Sequence, residues 1–282
     1  MNTIVKRVFL TVIGMPLFLS IIFFLDQINF LAFMIVILIF AVLGSYELKK
    51  IISKAVSVNL IIPPWLAVFI PLAAYIEMFY LPEIPLLMLT SILLISILCI
   101  FEIFKGSADN FSGSVSRITS HIFLLFYPSI FITYLIRISG LEHASWLLVL
   151  LFLLVFSNDV FAYVFGMLLG NSSRNIFKAS PKKSLAGFIG GLLMTIIIGY
   201  IYLLLIPDIN QRENLFLYGI LFFLISLTAN IGDLIVSVIK RSANVKNSGD
   251  LIPGRGGILD TIDSIVFSAP LFYLFIILTI QV

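Results

Sequence analysis

The segment 145–168, SWLLVLLFLLVFSNDVFAYVFGML, decides the class of fold. It is apolar along nearly its whole length, contains one charged residue, Asp159, and is long enough to cross about 30 Å of hydrocarbon as a helix. A helix that is hydrophobic on all sides lies in a large protein core or in a bilayer. The segment therefore predicts a transmembrane helix that carries a carboxylate.

The composition of the whole chain supports a bilayer as its main solvent. Of 282 residues, 61% are hydrophobic and 11% are charged, whereas soluble domains are about half apolar and a quarter charged. The mean hydropathy is +1.18. A net charge of only +3 does not favour a nucleic-acid partner. We therefore expect an all-α polytopic membrane protein that binds no nucleic acid.

Nine segments are apolar enough to be predicted as membrane spans. They cover 8–25, 30–48, 60–76, 85–104, 120–138, 145–168, 187–206, 215–238 and 264–281. The third is the weakest because Pro63, Pro64 and Pro71 interrupt it, and a re-entrant segment remains the alternative there.

The basic residues predict the orientation of these spans. With the N-terminus in the cytoplasm, fifteen of the 17 lysines and arginines fall on the cytoplasmic side. They are Lys6, Arg7, Lys49, Lys50, Lys54, Lys105, Arg117, Arg174, Lys178, Lys182, Lys183, Lys240, Arg241, Lys246 and Arg255. Only Arg137 and Arg212 fall outside. This asymmetry obeys the positive-inside rule and predicts an outer C-terminus, with the protein in a bacterial inner membrane.

The chain divides by this scheme into two regions. Residues 1–140 hold about five spans, which we expect to be lipid-facing or to form a scaffold or dimer surface. Residues 141–282 hold the predicted catalytic spans, with cytoplasmic loops at 170–186 and 240–263.

Two aspartates lie within predicted spans, each beside an asparagine: Asn158-Asp159 and Asn230-Ile-Gly-Asp233. A carboxylate costs several kcal/mol inside a membrane unless it has partners or faces a polar cavity. Each alone is compatible with a helix–helix hydrogen bond or a contact with headgroups, but the two together favour a shared site. Glu47 and Glu102 lie near span ends and close to lysines, so we expect them to extend to the membrane surface.

The loop at 240–263 combines three features that suit a bound phosphate. Glycines let backbone N–H groups approach an anion, basic residues supply positive charge, and carboxylates suit a divalent cation bridging phosphate oxygens. The glycines are Gly254, Gly256 and Gly257, the basic residues are Lys240, Arg241, Lys246 and Arg255, and the carboxylates are Asp260 and Asp263. The alternative is a basic loop that contacts an anionic membrane surface.

A second loop ends in Ser180-Pro-Lys-Lys-Ser184, directly before a predicted span. Hydroxyl groups and lysines at the start of a helix, here Ser180, Lys183 and Ser184, are also a phosphate-binding arrangement. Lysines at a span end are common, so this signal is weak by itself.

These motifs resemble those of the phosphatidate cytidylyltransferases, also called CDP-diacylglycerol synthases. The family signature runs Ser-x-x-Lys-Arg, four residues, Lys-Asp, then Pro-Gly-His-Gly-Gly-x-x-Asp-Arg-x-Asp. Here it runs Ser237-Val-Ile-Lys240-Arg241, then Lys246-Asn247, then Pro253-Gly-Arg255-Gly-Gly-Ile-Leu-Asp260-Thr261-Ile-Asp263, with the spacing kept. Asn158-Asp159 with Ala162-Tyr163 and Gly166, and Ser180-Pro-Lys-Lys-Ser-Leu-Ala-Gly, resemble two further family motifs. The resemblance covers residues 150 onward.

The resemblance implies a reaction in which phosphatidic acid attacks the α-phosphorus of CTP, giving CDP-diacylglycerol and pyrophosphate. It implies Mg²⁺, with a monovalent cation such as K⁺ as a second ion, and it places the metal on Asp233 and Asp260. Phosphate contacts would come from Lys240, Arg241, Lys246, Arg255, Lys183 and Ser184, and Asp263 would support the two metal aspartates. Substrate contacts would come from Asn158, Asp159, Ser180, Ser237, Gly254, Gly256 and Gly257. The partners implied are CTP, phosphatidic acid and membrane lipids, and a homodimer is left open.

Several positions depart from the family pattern. Asn247 replaces an aspartate, Arg255 a histidine, Thr261 an arginine and Ala186 a glutamate, while Ser184 replaces a threonine and keeps the hydroxyl. Two acids and one base are lost, which limits the net electrostatic change. We predict an active but divergent enzyme.

Two alternatives remain at this stage. A cytidylyltransferase acting on another membrane lipid phosphate would show the same loops. A secondary transporter would also place carboxylates in interrupted spans, but it should show paired halves, and the sequence shows none.

Overall fold

The computed structural model describes residues 14, 16–56, 59–107, 110–170, 176–206, 215–252 and 256–279. Within these ranges all the regular elements are helices, and extended backbone pairs at an isolated bridge between Ile252 and Gly256. The all-helical prediction is confirmed for this part of the chain.

Eight α-helices are named in chain order. They are α1 (Leu31–Val56), α2 (Phe69–Phe79), α3 (Leu86–Gly106), α4 (Ser114–Ser139), α5 (Ala144–Leu169), α6 (Leu185–Leu205), α7 (Leu215–Ser242) and α8 (Leu259–Thr279). All except α2 are long and apolar enough to cross a membrane, which makes seven candidate spans among the described residues. Each of the seven overlaps one predicted span, so the protein is a helical, multi-pass membrane protein.

The two other predicted spans have different outcomes. Part of 8–25, namely 8–13 and 15, lies outside the described residues, and 16–24 are helical. The segment 60–76 contains a 3₁₀ turn, Pro64–Val68, followed by α2, which has only 11 residues. Pro63 is extended and Pro64 begins the turn, as expected because proline disfavours helix in the residue before it. The count of nine spans stays a prediction.

The chain divides into two compact units. The first consists of Met1–Gly140 and Ile239–Thr261, and the second of Leu141–Val238 and Ile262–Val282. The helices α7 and α8 each contribute to both units. The roles predicted for 1–140 and 141–282 stay predictions, but the loop after α7 is grouped with the N-terminal helices.

In the first unit, a proline within α4 leaves a backbone carbonyl without its helical partner, and a side chain of α1 donates a hydrogen bond to that carbonyl. Pro128 has no N–H to donate, so the carbonyl of Leu124, four residues earlier, loses its helical partner. The buried hydroxyl of Ser45 donates to that carbonyl at 3.1 Å. This bond satisfies an acceptor that lipid could not satisfy.

Glu102, near the end of α3, is also buried in the first unit. Its Oε1 lies 2.6 Å from the guanidinium of Arg117 on α4. The prediction that Glu102 reaches the membrane surface is wrong, because the arginine satisfies the carboxylate within the helix bundle.

In the second unit, glycines let α5 and α6 pack closely. A Cβ on Gly187 would lie 2.5 Å from the carbonyl oxygen of Ala162, and one on Gly191 would lie 2.9 Å from that of Asn158. Small residues permit such backbone contact between membrane helices. The close approach brings the motif at Asn158-Asp159 beside the start of α6.

Candidate functional site

A cavity of about 810 Å³ in the second unit collects five of the predicted site residues. Its walls come from α5, from the segment leading into α6 and from α7. The predicted residues in its lining are Asp159, Ser180, Lys183, Ser184 and Asp233. Asp159 and Asp233 therefore do share a site, as their positions within predicted spans suggested.

The main ionic contact in the cavity joins Lys183 to Asp233. The ammonium nitrogen lies 2.8 Å from Oδ2, and the two side chains are 27% and 35% exposed. Ser237, one turn further along α7, donates to the other carboxylate oxygen at 3.4 Å. The carboxylate is thus held by two side chains, and solvent or a ligand can still reach it.

The cavity wall includes the N-terminus of α6. Ser184 is the N-cap residue in extended conformation, and its Oγ accepts a hydrogen bond from the N–H of Gly187 at 3.1 Å. The free N–H groups and dipole at a helix N-terminus favour an anion. The sequence prediction of a helix start with serine and lysine is confirmed here.

Asn158 lies beneath the cavity lining. Its side chain is fully buried, and Oδ1 accepts hydrogen bonds from Ser226 at 2.7 Å and from Asn230 at 3.1 Å. Asn230 does line the cavity, although it was not among the predicted site residues. Its place one turn before Asp233, as the second of the two Asn/Asp pairs, is the signal that identifies it.

One side of the cavity is apolar and open. Tyr163 and Met167 line it and are 70% and 55% exposed. An exposed aromatic and a thioether beside an ionic centre suit a ligand that is partly apolar and partly charged.

A second ionic centre lies in the first unit, around Asp260 at the start of α8. Lys240 Nζ lies 2.6 Å from Oδ1, and the two side chains are only 11% and 9% exposed. The other oxygen, Oδ2, accepts from the N–H of Ser248 at 2.8 Å and of Gly257 at 3.2 Å. The carboxylate is therefore enclosed by its own loop.

Glu47 on α1 belongs to the same centre. It is 2% exposed and accepts hydrogen bonds from the N–H groups of Ile258 and Leu259, both at 2.9 Å, and from the hydroxyl of Ser248 at 2.8 Å. The prediction that Glu47 extends to the membrane surface is wrong, because the free N–H groups at the N-terminus of α8 bind it inside the unit. Its sequence position beside two lysines gave no signal of this.

The other predicted residues of the loop have varied environments. Arg241 and Lys246 are exposed, and Arg241 donates to the carbonyl of Val245 at 3.4 Å. Gly256 has a φ of +111°, which a residue with a side chain rarely adopts. Gly254 and Arg255 lie outside the described residues.

Two further positions of the signature follow on α8. Asp263 is buried, and its Oδ1 accepts from the N–H of Ser264 at 2.7 Å. Thr261, where the family pattern has arginine, donates its hydroxyl to the carbonyl of Gly257 at 3.1 Å. Asn247, where the pattern has aspartate, lines a smaller cavity of about 430 Å³ with Lys50 and Lys54.

The carboxylates of the described residues form no cluster of three or more metal-binding side chains. Mg²⁺ does not require one, because it is usually held by one or two carboxylates together with substrate phosphates and water. Asp233 and Asp260 each supply such an oxygen donor, so the chemistry of each residue fits this ion.

The fold and the site define a helical membrane protein with two lysine–aspartate pairs and a cavity lined by both charged and apolar residues. The sequence profile of the Cytidylyltransferase family matches residues 5–279, and the chain belongs to this family.

Curated relatives share more than a third of the aligned residues. Phosphatidate cytidylyltransferase of Rickettsia bellii is 38% identical over 146 residues, which cover 50% of this chain and 62% of the relative. Phosphatidate cytidylyltransferase of Aquifex aeolicus is 37% identical over 153 residues, 54% of each chain. The uncharacterized protein YnbB of Escherichia coli is 38% identical over 168 residues, 55% of each chain. The chain thus spans about half to three fifths of the length of these relatives.

Proposed function

We propose that this protein transfers a cytidylyl group from CTP to phosphatidic acid. A phosphate oxygen of the lipid forms a bond to the α-phosphorus of CTP, and the bond from that phosphorus to the bridging oxygen of the β-phosphate breaks. The products are CDP-diacylglycerol and pyrophosphate. The observation that carries the proposal is the cavity of the second unit, which is lined by five of the predicted site residues in a chain of the Cytidylyltransferase family.

The chemistry of the cavity supports a lipid phosphate as one ligand. Lys183 and the N-terminus of α6 favour a phosphate, and the exposed Tyr163 and Met167 favour the first carbons of an acyl glycerol. When a phosphate arrives, Lys183 is free to exchange its contact with Asp233 for a contact with the ligand. No covalent nucleophile of the protein is required, because the lipid supplies the attacking oxygen.

The basic residues of the loop after α7 are the proposed ligands for the triphosphate. Arg241 and Lys246 are exposed, and Arg255 belongs to the same loop. Lys240 would move between Asp260 and a phosphate oxygen, and Asp263 is proposed to support the metal aspartates. Phosphoryl chemistry asks the protein chiefly to position groups and to neutralise charge, which suits these side chains. We propose phosphate or substrate contacts also for Asp159, Ser180, Ser184, Ser237, Gly254, Gly256 and Gly257. The buried Asn158, predicted as a substrate contact, would instead hold Asn230 in the cavity wall.

Mg²⁺ is the proposed cofactor, with a monovalent cation such as K⁺ as a second ion. Asp233 and Asp260 would each supply carboxylate oxygens, and the bound ion would neutralise the charge of the phosphates. Each aspartate has a lysine nitrogen within 2.8 Å that balances its charge.

We propose a bacterial inner membrane as the location, with nine spans, a cytoplasmic N-terminus and a cytoplasmic reaction site. Support comes from the charge asymmetry of fifteen basic residues against two. A homodimer is compatible with this arrangement.

The family finding favours transfer of a cytidylyl group over transport. A panel of acceptors tests the identity of the lipid. Purified protein is incubated with radiolabelled CTP, Mg²⁺ and either phosphatidic acid, an ether-linked analogue or an isoprenoid phosphate, beside the Rickettsia bellii relative. We expect labelled lipid with phosphatidic acid at a rate at least about tenfold above the others. A preference for another lipid phosphate would establish the alternative acceptor, and absence of labelled lipid with all three, while the relative works, would refute the proposal.

A further inference from the structure

The buried carboxylate of Glu47 is bound entirely by one distant segment of the chain. Its three hydrogen-bond donors are Ser248, Ile258 and Leu259, at 2.8 to 2.9 Å, about two hundred residues away in sequence. No lysine or arginine of the described residues lies within 4 Å of it as an ion-pair partner. A buried carboxylate is costly, and the N–H groups at the start of α8 offset that cost.

Glycines of the loop make room for this carboxylate. A Cβ on Gly249 would lie 2.6 Å from Oε1 of Glu47, and one on Gly257 would collide with Oε2. A substitution at either position would therefore displace Glu47. Because neither glycine has a side chain, the backbone of the loop can lie close to the Glu47 carboxylate.

The groups that bind Glu47 also fix Asp260. Ser248 donates its hydroxyl to Glu47, donates its N–H to Asp260 at 2.8 Å, and accepts from the N–H of Asp260 at 3.3 Å. Gly257, beside Ile258, donates to Asp260 at 3.2 Å. The position of the Asp260 carboxylate thus depends on a loop that is held in place from α1.

We propose that Glu47 is a positioning residue for Asp260. It ties the loop after α7 and the N-terminus of α8 to α1, so that the Asp260 carboxylate and its partner Lys240 keep one geometry. Glu47 touches no substrate and takes no part in bond making. Its effect on catalysis rests on the proposed function, whereas its effect on the loop does not.

The test compares Glu47→Gln with Glu102→Gln. Glu102 is a matched control, because it is also a buried glutamate of the first unit but is bound by Arg117. In Glu47→Gln an amide NH₂ replaces one carboxylate oxygen and faces N–H and O–H donors, so at least one hydrogen bond to a charged acceptor is lost.

Hydrogen–deuterium exchange of the purified proteins gives a readout that does not depend on activity. We expect exchange at the amides of Ser248 and Gly257–Asp260 to rise about tenfold or more in Glu47→Gln. Glu102→Gln leaves Arg117 buried without its counter-ion, so exchange should rise at the facing ends of α3 and α4 but stay within about twofold of wild type at the amides of Ser248 and Gly257–Asp260. The Mg²⁺ concentration for half-maximal rate should rise in Glu47→Gln alone. Ser248→Ala deletes one of the three bonds to Glu47 and also the acceptor of the Asp260 N–H, so its readout is the amides of Gly257, Ile258 and Leu259, where exchange should rise by a smaller factor of about three.

Each outcome decides the proposal. Unchanged exchange at these amides in Glu47→Gln, or an equal rise there in Glu102→Gln, would overturn it. If Glu47→Gln does not fold, Ser248→Ala decides alone: a rise confined to these amides that includes Gly257, Ile258 and Leu259 supports the proposal, and no rise at those three refutes it. A wild-type protein that forms no CDP-lipid would refute the proposed function but leave the exchange result standing.

Discussion

The two lysine–aspartate pairs of this protein have similar lengths but different surroundings. Lys183 and Asp233, 2.8 Å apart, are 27% and 35% exposed on the wall of a cavity. Lys240 and Asp260, 2.6 Å apart, are 11% and 9% exposed and are enclosed by a loop. The first carboxylate has one further partner, a serine hydroxyl, whereas the second accepts two backbone N–H groups.

The difference in exposure predicts different roles for the two aspartates, although the sequence motifs predict the same metal-binding role for both. An exposed ion pair contributes little to stability and is easily exchanged for a ligand. Removing one member of a buried pair leaves an uncompensated charge and destabilises the fold strongly. We therefore expect Asp233 to matter for activity alone, and Asp260 to matter for both activity and folding.

The largest effect is expected for Asp260→Asn. The substitution leaves Lys240 buried without its counter-ion, so the thermal unfolding midpoint in detergent should fall by roughly 10 °C. Formation of CDP-lipid should fall by about a thousandfold, since a proposed metal carboxylate is lost as well. Asp250→Asn, an exposed change in the same loop, is the control. Near-normal turnover in Asp260→Asn would contradict its proposed role.

Asp233→Asn should reduce activity without affecting stability. We expect a loss of about a hundredfold or more in turnover, with the unfolding midpoint within about 2 °C of wild type. Glu142→Gln, an exposed change in the same unit, should alter neither quantity. A drop in the unfolding midpoint as large as that of Asp260→Asn would contradict the expectation that Asp233 matters for activity alone.

Two neighbouring lysines of the cavity test whether the pairing with Asp233 is specific to one of them. Lys182 and Lys183 both line it, but only Lys183 pairs with Asp233 among the described residues. Lys183→Met should lower kcat/KM by about tenfold or more, because a charge-assisted hydrogen bond is lost, and Lys182→Met by about threefold at most. Equal losses of kcat/KM in the two variants would show that the positive charge of both lysines matters, rather than the specific pairing of Lys183 with Asp233.

The smallest effect concerns the helix cap in the cavity wall. Ser184→Ala removes the acceptor for the N–H of Gly187 and should lower the unfolding midpoint by about 2–4 °C. Ser184→Thr keeps the hydroxyl and restores the family residue, so it should match wild type in both stability and turnover. A defect in Ser184→Thr equal to that of Ser184→Ala would show that the cap is not the cause.

Local sequence patterns predicted much of this architecture. Long apolar runs identified seven spanning helices because length and hydropathy act locally. Asp159 and Asp233 were identified as site candidates because a carboxylate within a span is costly unless it has partners or faces a polar cavity. The resemblance to the cytidylyltransferases supplied the chemistry, which the residues alone left open.

Contacts between distant segments could not be predicted. Glu47 looked like a glutamate at a span end, and only the fold shows that the start of α8 binds it. Ser45 gave no sign that a proline on α4 would free a carbonyl for its hydroxyl. In both cases the partner is fixed by helix packing, which a pattern along the chain does not encode.

The most direct test of the proposed chemistry follows the fate of each phosphate of CTP. The purified protein is given phosphatidic acid, Mg²⁺ and CTP labelled at either the α- or the γ-phosphate. We predict that the α-label enters the lipid and the γ-label appears in pyrophosphate, in equal amounts. Transfer of the γ-label to lipid, or no labelled lipid while the Rickettsia bellii relative succeeds alongside, would contradict cytidylyl transfer by this protein.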